Sequence, residues 1–116
     1  VQAANGTNTA DDVASLGKEY SELKDENTRL LGGTKFNGTA VFNGAAIDFQ
    51  VGANTTTDDK ITVAAMTVTL TAGSLTDNAS GSTEMDALDA DIKTVTELRA
   101  TLGATQNRFE AVVSGL

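Results

Sequence analysis

Residues 83–116 have the sequence TEMDALDADIKTVTELRATLGATQNRFEAVVSGL and contain the longest apolar repeat of the chain. The apolar residues of this stretch recur at alternating steps of four and three, a spacing typical of a long, coiled-coil-like helix. The members of this stripe are Leu88, Ile92, Val95, Leu102, Phe109, Val113 and Leu116. At about 1.5 Å per residue such a helix would be about 50 Å long, which indicates a rod.

The ends and edges of this stripe limit how it can be buried. Thr83, with Asp86 three residues later, predicts a weak capping box and a helix start near residue 83. Arg99 and Gln106 interrupt the stripe, and Leu98, Thr105 and Val112 flank it. The stripe is longer than the other predicted helix can cover. We therefore expect part of it to meet a further helix or a second copy of the chain, so that the isolated chain would self-associate.

A second helix is predicted upstream, over residues 9–31. Its apolar stripe comprises Val13, Leu16, Tyr20, Leu23 and Leu30. Thr9 is the expected N-cap, Asp25 and Arg29 are spaced to form an ion pair, and Gly32-Gly33 should end the helix. Gly17 lies inside and should cost up to about 1 kcal/mol.

The stretch between the helices predicts a small antiparallel sheet over residues 34–72. Asn43-Gly44 follows the β-prone residues Thr39–Phe42 and predicts a hairpin turn. The residues expected to alternate on one face of later strands are Ile47, Phe49, Val51, Ile61, Val63, Met66, Val68 and Leu70. Their phase shifts at Ala64-Ala65, which predicts a bulge or a break between two strands. Residues 73–82 are small and polar and predict a loop.

Composition excludes several classes of function. The 116 residues contain no Cys, His, Pro or Trp, and the formal net charge is −8. Thiol chemistry, zinc fingers and imidazole catalysis are therefore excluded, and a negative chain disfavours nucleic acid. No stretch of about 18 apolar residues predicts a membrane span. Asp86, Asp89 and Asp91 are interpreted as a solvated helix face and Asp58-Asp59 as a polar turn, so we expect no metal, no cofactor and no enzyme.

Four motifs, in order, resemble those of bacterial flagellins. They are VQAANGTN at residues 1–8, TKFNG at 34–38, FQVGAN at 49–54 and LRATLGATQNRFE at 98–110. The resemblance covers residues 1–63 and 83–116, whereas 64–82 has no match. It implies a fragment of the rod-like D1 domain, of the α+β class, in which two long antiparallel helices flank a small antiparallel β-hairpin region.

The resemblance divides this single domain into four parts. They are the N-terminal turn and helix (1–33), the β-hairpin region (34–72), a connector (73–82) and the C-terminal helix (83–116). Because Val1 is not a natural start, we expect a piece of a longer rod. A missing N-terminal helix would lie along the stripe around Leu102, Phe109 and Val113.

The resemblance also implies function. It implies a structural subunit that polymerises with other flagellin subunits into the extracellular flagellar filament, after export by the flagellar type III apparatus. It further implies recognition by the innate immune Toll-like receptor for flagellin. The candidate contacts are Gln2, Leu16, Glu19, Glu22 and Arg108. The alternative is a hook–filament junction protein that shares the flagellin rod. A carboxylate-based glycosidase is a third class, which would require two carboxylates about 5–10 Å apart in a cleft.

Overall fold

The first long helix, α1, comprises Ala10–Gly33 in the computed structural model, which describes residues 1–115. The predicted cap is confirmed: the Thr9 hydroxyl accepts from the Asp12 N–H at 3.2 Å, and the Asp12 carboxylate accepts from the Thr9 N–H at 2.9 Å. The hydrogen bond from the Thr9 N–H holds the pKa of Asp12 below its usual value. This reciprocal pair satisfies two N–H groups that would otherwise lack partners.

One predicted ion pair on α1 is wrong. Arg29 pairs with Glu26, three residues before it, through two bonds of 2.6 and 2.7 Å, and not with Asp25. A guanidinium group presents parallel N–H donors, so it selects the carboxylate that both donors can reach together. Both side chains are largely exposed, and the pair contributes little to stability.

Two small antiparallel sheets follow α1. In the first, β1 (Lys35–Phe36) pairs with β2 (Thr39–Ala40) around Asn37-Gly38. Both turn residues have positive φ, 52° and 78°, as a type I′ turn requires. The predicted hairpin turn at Asn43-Gly44 is wrong. The Gly44 N–H instead donates to the Met66 carbonyl, so this turn brings the chain against residues further along.

The second sheet confirms the alternation predicted for Ile47, Phe49, Ile61 and Val63. Strand β3 (Ile47–Gln50) pairs with β4 (Lys60–Val63), and Phe49 stands opposite Ile61. Ile61 is buried, with 2% of its surface exposed. The phase shift at Ala64 coincides with the end of β4, so it marks a break and not a bulge.

Residues 64–77, which we call the strap, are extended but pair with no strand among residues 1–115. Met66, Val68 and Leu70 are half-buried and alternate with exposed residues, so the predicted period of two is correct. The predicted strand is not formed: the Met66 carbonyl accepts from the Gly44 N–H, and side chains of the two long helices bond to the backbone of residues 71–73. Extended chain of this length spans up to about 46 Å, enough to return along α1.

The second long helix, α2, comprises Asn78–Gly115 and therefore begins five residues before the predicted start. Its N-terminus is closed by Asp77, whose carboxylate accepts from the Ser80 N–H at 2.7 Å, while the Ser80 hydroxyl accepts from the Asp77 N–H at 2.9 Å. The Ser80 N–H holds the pKa of Asp77 below its usual value. Part of the predicted connector is therefore helix. The last predicted stripe position, Leu116, lies outside the described residues.

The two long helices run in the same direction, and the predicted antiparallel orientation is wrong. Tyr20 of α1 bonds to Glu84 near the start of α2. Thr34, directly after the end of α1, and Arg99, 15 residues after Glu84 in α2, line the same groove, so both helices advance in the same direction. The strap explains this arrangement, because it carries the chain back to the beginning of α1 before α2 starts. The predicted class is otherwise confirmed: two long helices with small antiparallel sheets.

The molecule is a rod of 66 × 24 × 18 Å with a radius of gyration of 20.1 Å. A compact chain of this length would have a radius of gyration of about 13 Å. Only three apolar residues, Ala3, Val13 and Ile61, are fully buried within residues 1–115. No helix in that range combines the length and the apolar character needed to cross a bilayer. The rod therefore leaves most of its helical apolar surface open.

Candidate functional site

A junction at the start of the rod joins the N-terminal residues to α2. The 3₁₀ helix Gln2–Ala4 lies against Gly81, where a Cβ atom would come within 2.7 Å of the Ala4 nitrogen. The Asn78 side-chain amide donates to the carbonyls of Ala3 and Asn5, at 2.6 and 2.8 Å. These contacts position the beginning of α2 beside the beginning of α1.

Two buried carboxylates on α2 hold the strap. The Asp91 carboxylate accepts from the Thr71 N–H at 2.8 Å, from the Thr71 hydroxyl at 2.7 Å and from the Ala72 N–H at 3.2 Å. Only 6% of the Asp91 surface is exposed. Burial by itself would raise the pKa of Asp91, but these hydrogen bonds outweigh it and hold the pKa below its usual value. Asp91 thus supplies the acceptors that a neighbouring strand would give.

Glu84, one heptad before Asp91, connects the strap to α1. Its carboxylate accepts from the Gly73 N–H at 2.7 Å and from the Tyr20 hydroxyl at 2.6 Å, and only 7% of its surface is exposed. Burial, and then the bond to Glu84, raises the pKa of Tyr20 to about 12. Lys24 donates to the Gly73 carbonyl at 2.8 Å. The phenol and the ammonium group thus fasten α1 to the same point of the strap.

These two carboxylates correct the interpretation of the acidic cluster. Asp86 and Asp89 are exposed as predicted, but Asp91 is buried and is not part of a solvated face. Glu84 and Asp91 share the heptad position of Leu98, Thr105 and Val112, so they lie in the row that flanks the stripe, four residues before Leu88 and Val95. Two acidic residues in that flanking row were the signal available in the sequence. Their hydrogen bonds to the strap give both a structural role.

Above this junction, α1, α2 and the strap form an open apolar groove of about 710 Å³, which we call the helix groove. Its apolar lining includes Leu23, Leu30, Leu31, Val68, Leu70, Leu88, Ile92 and Val95. Tyr20, the remaining stripe residue of α1 in this region, also lines it. Ile92 is 62% exposed, so α1 and the strap leave it largely uncovered.

A second apolar groove of about 850 Å³, the hairpin groove, lies between the two sheets and the later half of α2. Leu102, Phe109 and Val113 line it from the helix, and Phe49 faces them from β3. Phe49 and Phe109 meet edge to face, with ring centroids 5.0 Å apart. We expected a missing helix to cover this part of the stripe. The sheet of β3 and β4 covers it in part, although Val113 remains 70% exposed.

The remaining predicted site residues are dispersed. Val13, with 1% of its surface exposed, belongs to the interior and not to either groove. Gln2, Glu19, Glu22 and Arg108 are exposed, and Leu16 is half-buried. Tyr20 lies level with Glu84, and Arg108 is 24 residues further along α2, about 36 Å away along the axis. The structure does not bring Arg108 together with the candidates on the N-terminal side.

These features define an elongated α+β protein built from parallel helices, with apolar grooves along its length. The solved structure of Bacillus cereus flagellin matches 99% of this chain, with a TM-score of 0.84 and 36% identity, and the match covers 70% of that protein. No protein-family model matches the chain. The chain belongs to the flagellin family.

Curated relatives agree with this assignment. The flagellin of Halalkalibacterium halodurans is 33% identical across the whole chain, and the match covers 45% of its length. A flagellar filament core protein of Treponema maltophilum is 29% identical across the whole chain, and the match covers 48% of its length. The chain therefore spans about half the length of these relatives.

Proposed function

We propose that this chain is the rod segment of a structural subunit of the bacterial flagellar filament, located outside the cell. In that role it polymerises with identical subunits, serves motility mechanically and catalyses no reaction. Relatives that carry the names flagellin and flagellar filament core protein support this role. We further propose that the subunit is exported by the flagellar type III apparatus.

The observation that carries the proposal is the pair of apolar grooves along α2. Five large apolar side chains of α2 that line the grooves are 38–70% exposed: Leu88, Ile92, Val95, Leu102 and Val113. The opposing residues Leu23 and Leu30 are also exposed. Apolar surface of this extent marks an interaction site on a soluble protein. Covering it with another helix gains about 25 cal/mol for each Å² of apolar area buried.

A helix from the rest of the polypeptide is the occupant that we propose for the helix groove. The matched relatives are about twice as long as this chain, so their sequence provides further segments that this chain lacks. Once the groove is filled, the polar faces of the rod and the hairpins remain available for contacts between subunits. Repeated head-to-tail contacts of this kind build an open helical filament.

Seeded elongation of the complete polypeptide tests the proposal. Purified monomer should extend filament seeds, as followed by electron microscopy. Ile92→Asn should abolish or strongly reduce extension, because it places an amide in the apolar helix groove. Thr101→Asn is the matched control: Thr101 is exposed, lines neither groove and is also β-branched, so this variant should extend seeds normally. Equal extension by both variants would contradict the role of the groove.

The same experiment separates the filament subunit from the alternative, a hook–filament junction protein. Continuous growth in length supports a filament subunit. A cap of fixed copy number on the seeds, without elongation, would instead assign the chain to the junction class.

A second proposal is recognition by the innate immune Toll-like receptor for flagellin. The exposure of Gln2, Glu19, Glu22 and Arg108 is compatible with it. The matched relatives are about twice as long as this chain, and we expect the most important receptor contacts on their remaining segments, so residues 1–116 alone should be a weak agonist in a receptor reporter cell line. Glu19→Ala should weaken the response further, whereas Asp25→Ala, another exposed acid on α1, should not. Full potency of the chain, or equal effects of the two variants, would count against this proposal.

A further inference from the structure

The tripeptide Phe-Asn-Gly occurs twice, at residues 36–38 and 42–44, in two different structural settings. An asparagine followed by glycine can lose its amide: the glycine nitrogen attacks the side-chain Cγ, a C–N bond forms and ammonia leaves with the displaced proton. Water then opens the cyclic imide to aspartate or isoaspartate. Glycine permits this attack most readily because it has no Cβ atom to obstruct it. Since the local sequences are identical, only the fold can make the two sites react differently.

Asn43 is restrained at both reacting groups. Its side-chain oxygen accepts from the Ala45 N–H at 2.9 Å, and the Gly44 N–H donates to the Met66 carbonyl at 3.3 Å. Attack at Asn43 requires the Gly44 N–H to leave the Met66 carbonyl, because the glycine nitrogen is the nucleophile, and this separates the turn from the strap. The bond from Ala45 restricts the rotation that brings the Asn43 Cγ to that nitrogen.

Asn37 has neither restraint. It is exposed in the type I′ turn between β1 and β2, and within residues 1–115 neither its side-chain amide nor the Gly38 N–H makes a hydrogen bond. The sheet around it pairs only two residues on each strand, so little structure opposes the local opening that the attack needs. A third Asn-Gly pair, Asn5-Gly6, is restrained, because the Asn5 side-chain oxygen accepts from both the N–H and the hydroxyl of Thr7.

We propose that Asn37 is a deamidation site of this chain and that it reacts before Asn5 and Asn43. Each event adds one negative charge. The isoaspartate product also inserts a Cβ atom into the main chain, and a type I′ turn of two residues cannot accommodate it. The modification therefore disrupts the pairing of Phe36 with Thr39 at the edge of the hairpin groove.

Timed incubation of the folded chain at mildly alkaline pH, followed by digestion and mass spectrometry, tests the proposal. Fragment ions locate the change of mass at each asparagine. In the folded chain Asn37 should react at least about fivefold faster than Asn43, the factor given by one hydrogen bond of typical net strength. In concentrated denaturant the two rates should converge. Equal folded rates, or faster reaction at Asn43 or Asn5, would overturn the proposal.

The variant Asn37→Gln tests whether the fast change of mass arises at residue 37. Asn37→Gln retains an amide but lengthens the side chain, so it cannot form the same ring. The fast change should disappear from this variant while the slow changes at Asn5 and Asn43 continue. A fast change that persists would show that it arises elsewhere and would also overturn the proposal.

Discussion

At Gly17 the backbone of the strap lies close against α1. A Cβ atom there would overlap the Leu75 carbonyl oxygen. The sequence indicates only a cost, because glycine weakens a helix interior by about 1 kcal/mol relative to alanine. The structure shows the advantage of glycine at this position, because only a residue without a side chain lets the strap backbone lie against the helix.

Replacing Gly17 with alanine should therefore destabilise the chain despite the better helix propensity of alanine. We expect a net loss of about 1–2 kcal/mol in the free energy of unfolding, because overpacking typically costs about 1–3 kcal/mol. Gly103→Ala is the matched control, since Gly103 lies inside α2 with open space around it, and it should stabilise the chain. Urea denaturation measures both changes, and a stabilised Gly17→Ala variant would refute the close approach.

Asp91 makes the stability depend on pH. Its pKa is lowered in the folded state, so its contribution is present above the unfolded pKa of about 3.9 and is lost as pH falls through the folded value. Asp91→Asn should cost about 2 kcal/mol at neutral pH, as expected for hydrogen bonds to a charged group.

Urea titrations at neutral and acid pH check this expectation. The difference between the native chain and Asp91→Asn should shrink as the pH falls below about 4, because Asp91 is then protonated first in the unfolded state and, below its folded pKa, in both states. Asp89→Asn, an exposed neighbour on the same helix, should change stability by no more than about 0.5 kcal/mol at either pH. A difference independent of pH would show that the charge of Asp91 is not responsible.

Among the elements, the start of α2 is set by its N-terminal cap. Asp77 and Ser80 close the helix reciprocally, five residues before the start that Thr83 and Asp86 predict. Asp77→Ala should lower the free energy of unfolding by about 1 kcal/mol, because it removes the acceptor of an N-terminal N–H group. Thr83→Ala should have a smaller effect, since Thr83 lies inside the helix. Circular dichroism during urea denaturation distinguishes them, and a larger loss at Thr83 would favour the later start.

At the scale of the whole molecule, the open grooves favour association between copies. We expect the average mass of residues 1–116, measured by light scattering, to rise with concentration as the grooves cover each other. The double variant Leu23→Asn and Ile92→Asn should reduce this rise, because both residues line the helix groove. A strict monomer at high concentration would contradict the expectation.

The sequence predicted those elements whose signals are local. The period of the apolar residues identified both helices, Thr9 identified the start of α1, and alternation identified β3 and β4. The start of α2 was missed because small polar residues such as Ser80 are as common in loops as in caps. Residues 64–72 of the strap were predicted as part of the sheet because alternation reports burial on one side and does not reveal the hydrogen-bond partner.

The candidate site was only partly predictable. The stripe residues on α2 from Leu88 to Val113 were identified, and the structure places them along the two grooves. Glu84 and Asp91 were missed as buried groups, although they lie in the row that flanks the apolar stripe. A buried carboxylate at such a position is explained only when its hydrogen-bond donors are known. These donors belong to the strap, which lies against α2 only because the chain returns along α1.

By itself, the sequence determined that this protein is a rod of two long helices with small sheets, because helical period and β alternation act over a few residues. The tertiary structure decided that the helices run in parallel and which side chains hold them together. It did so because direction depends on where the strap returns, and the strap is fixed by Glu84 and Asp91 of α2 and by Lys24 of α1. Tyr20 of α1 bonds to Glu84 and so joins the two helices directly. Contacts between residues far apart in the chain leave no periodic trace in the sequence.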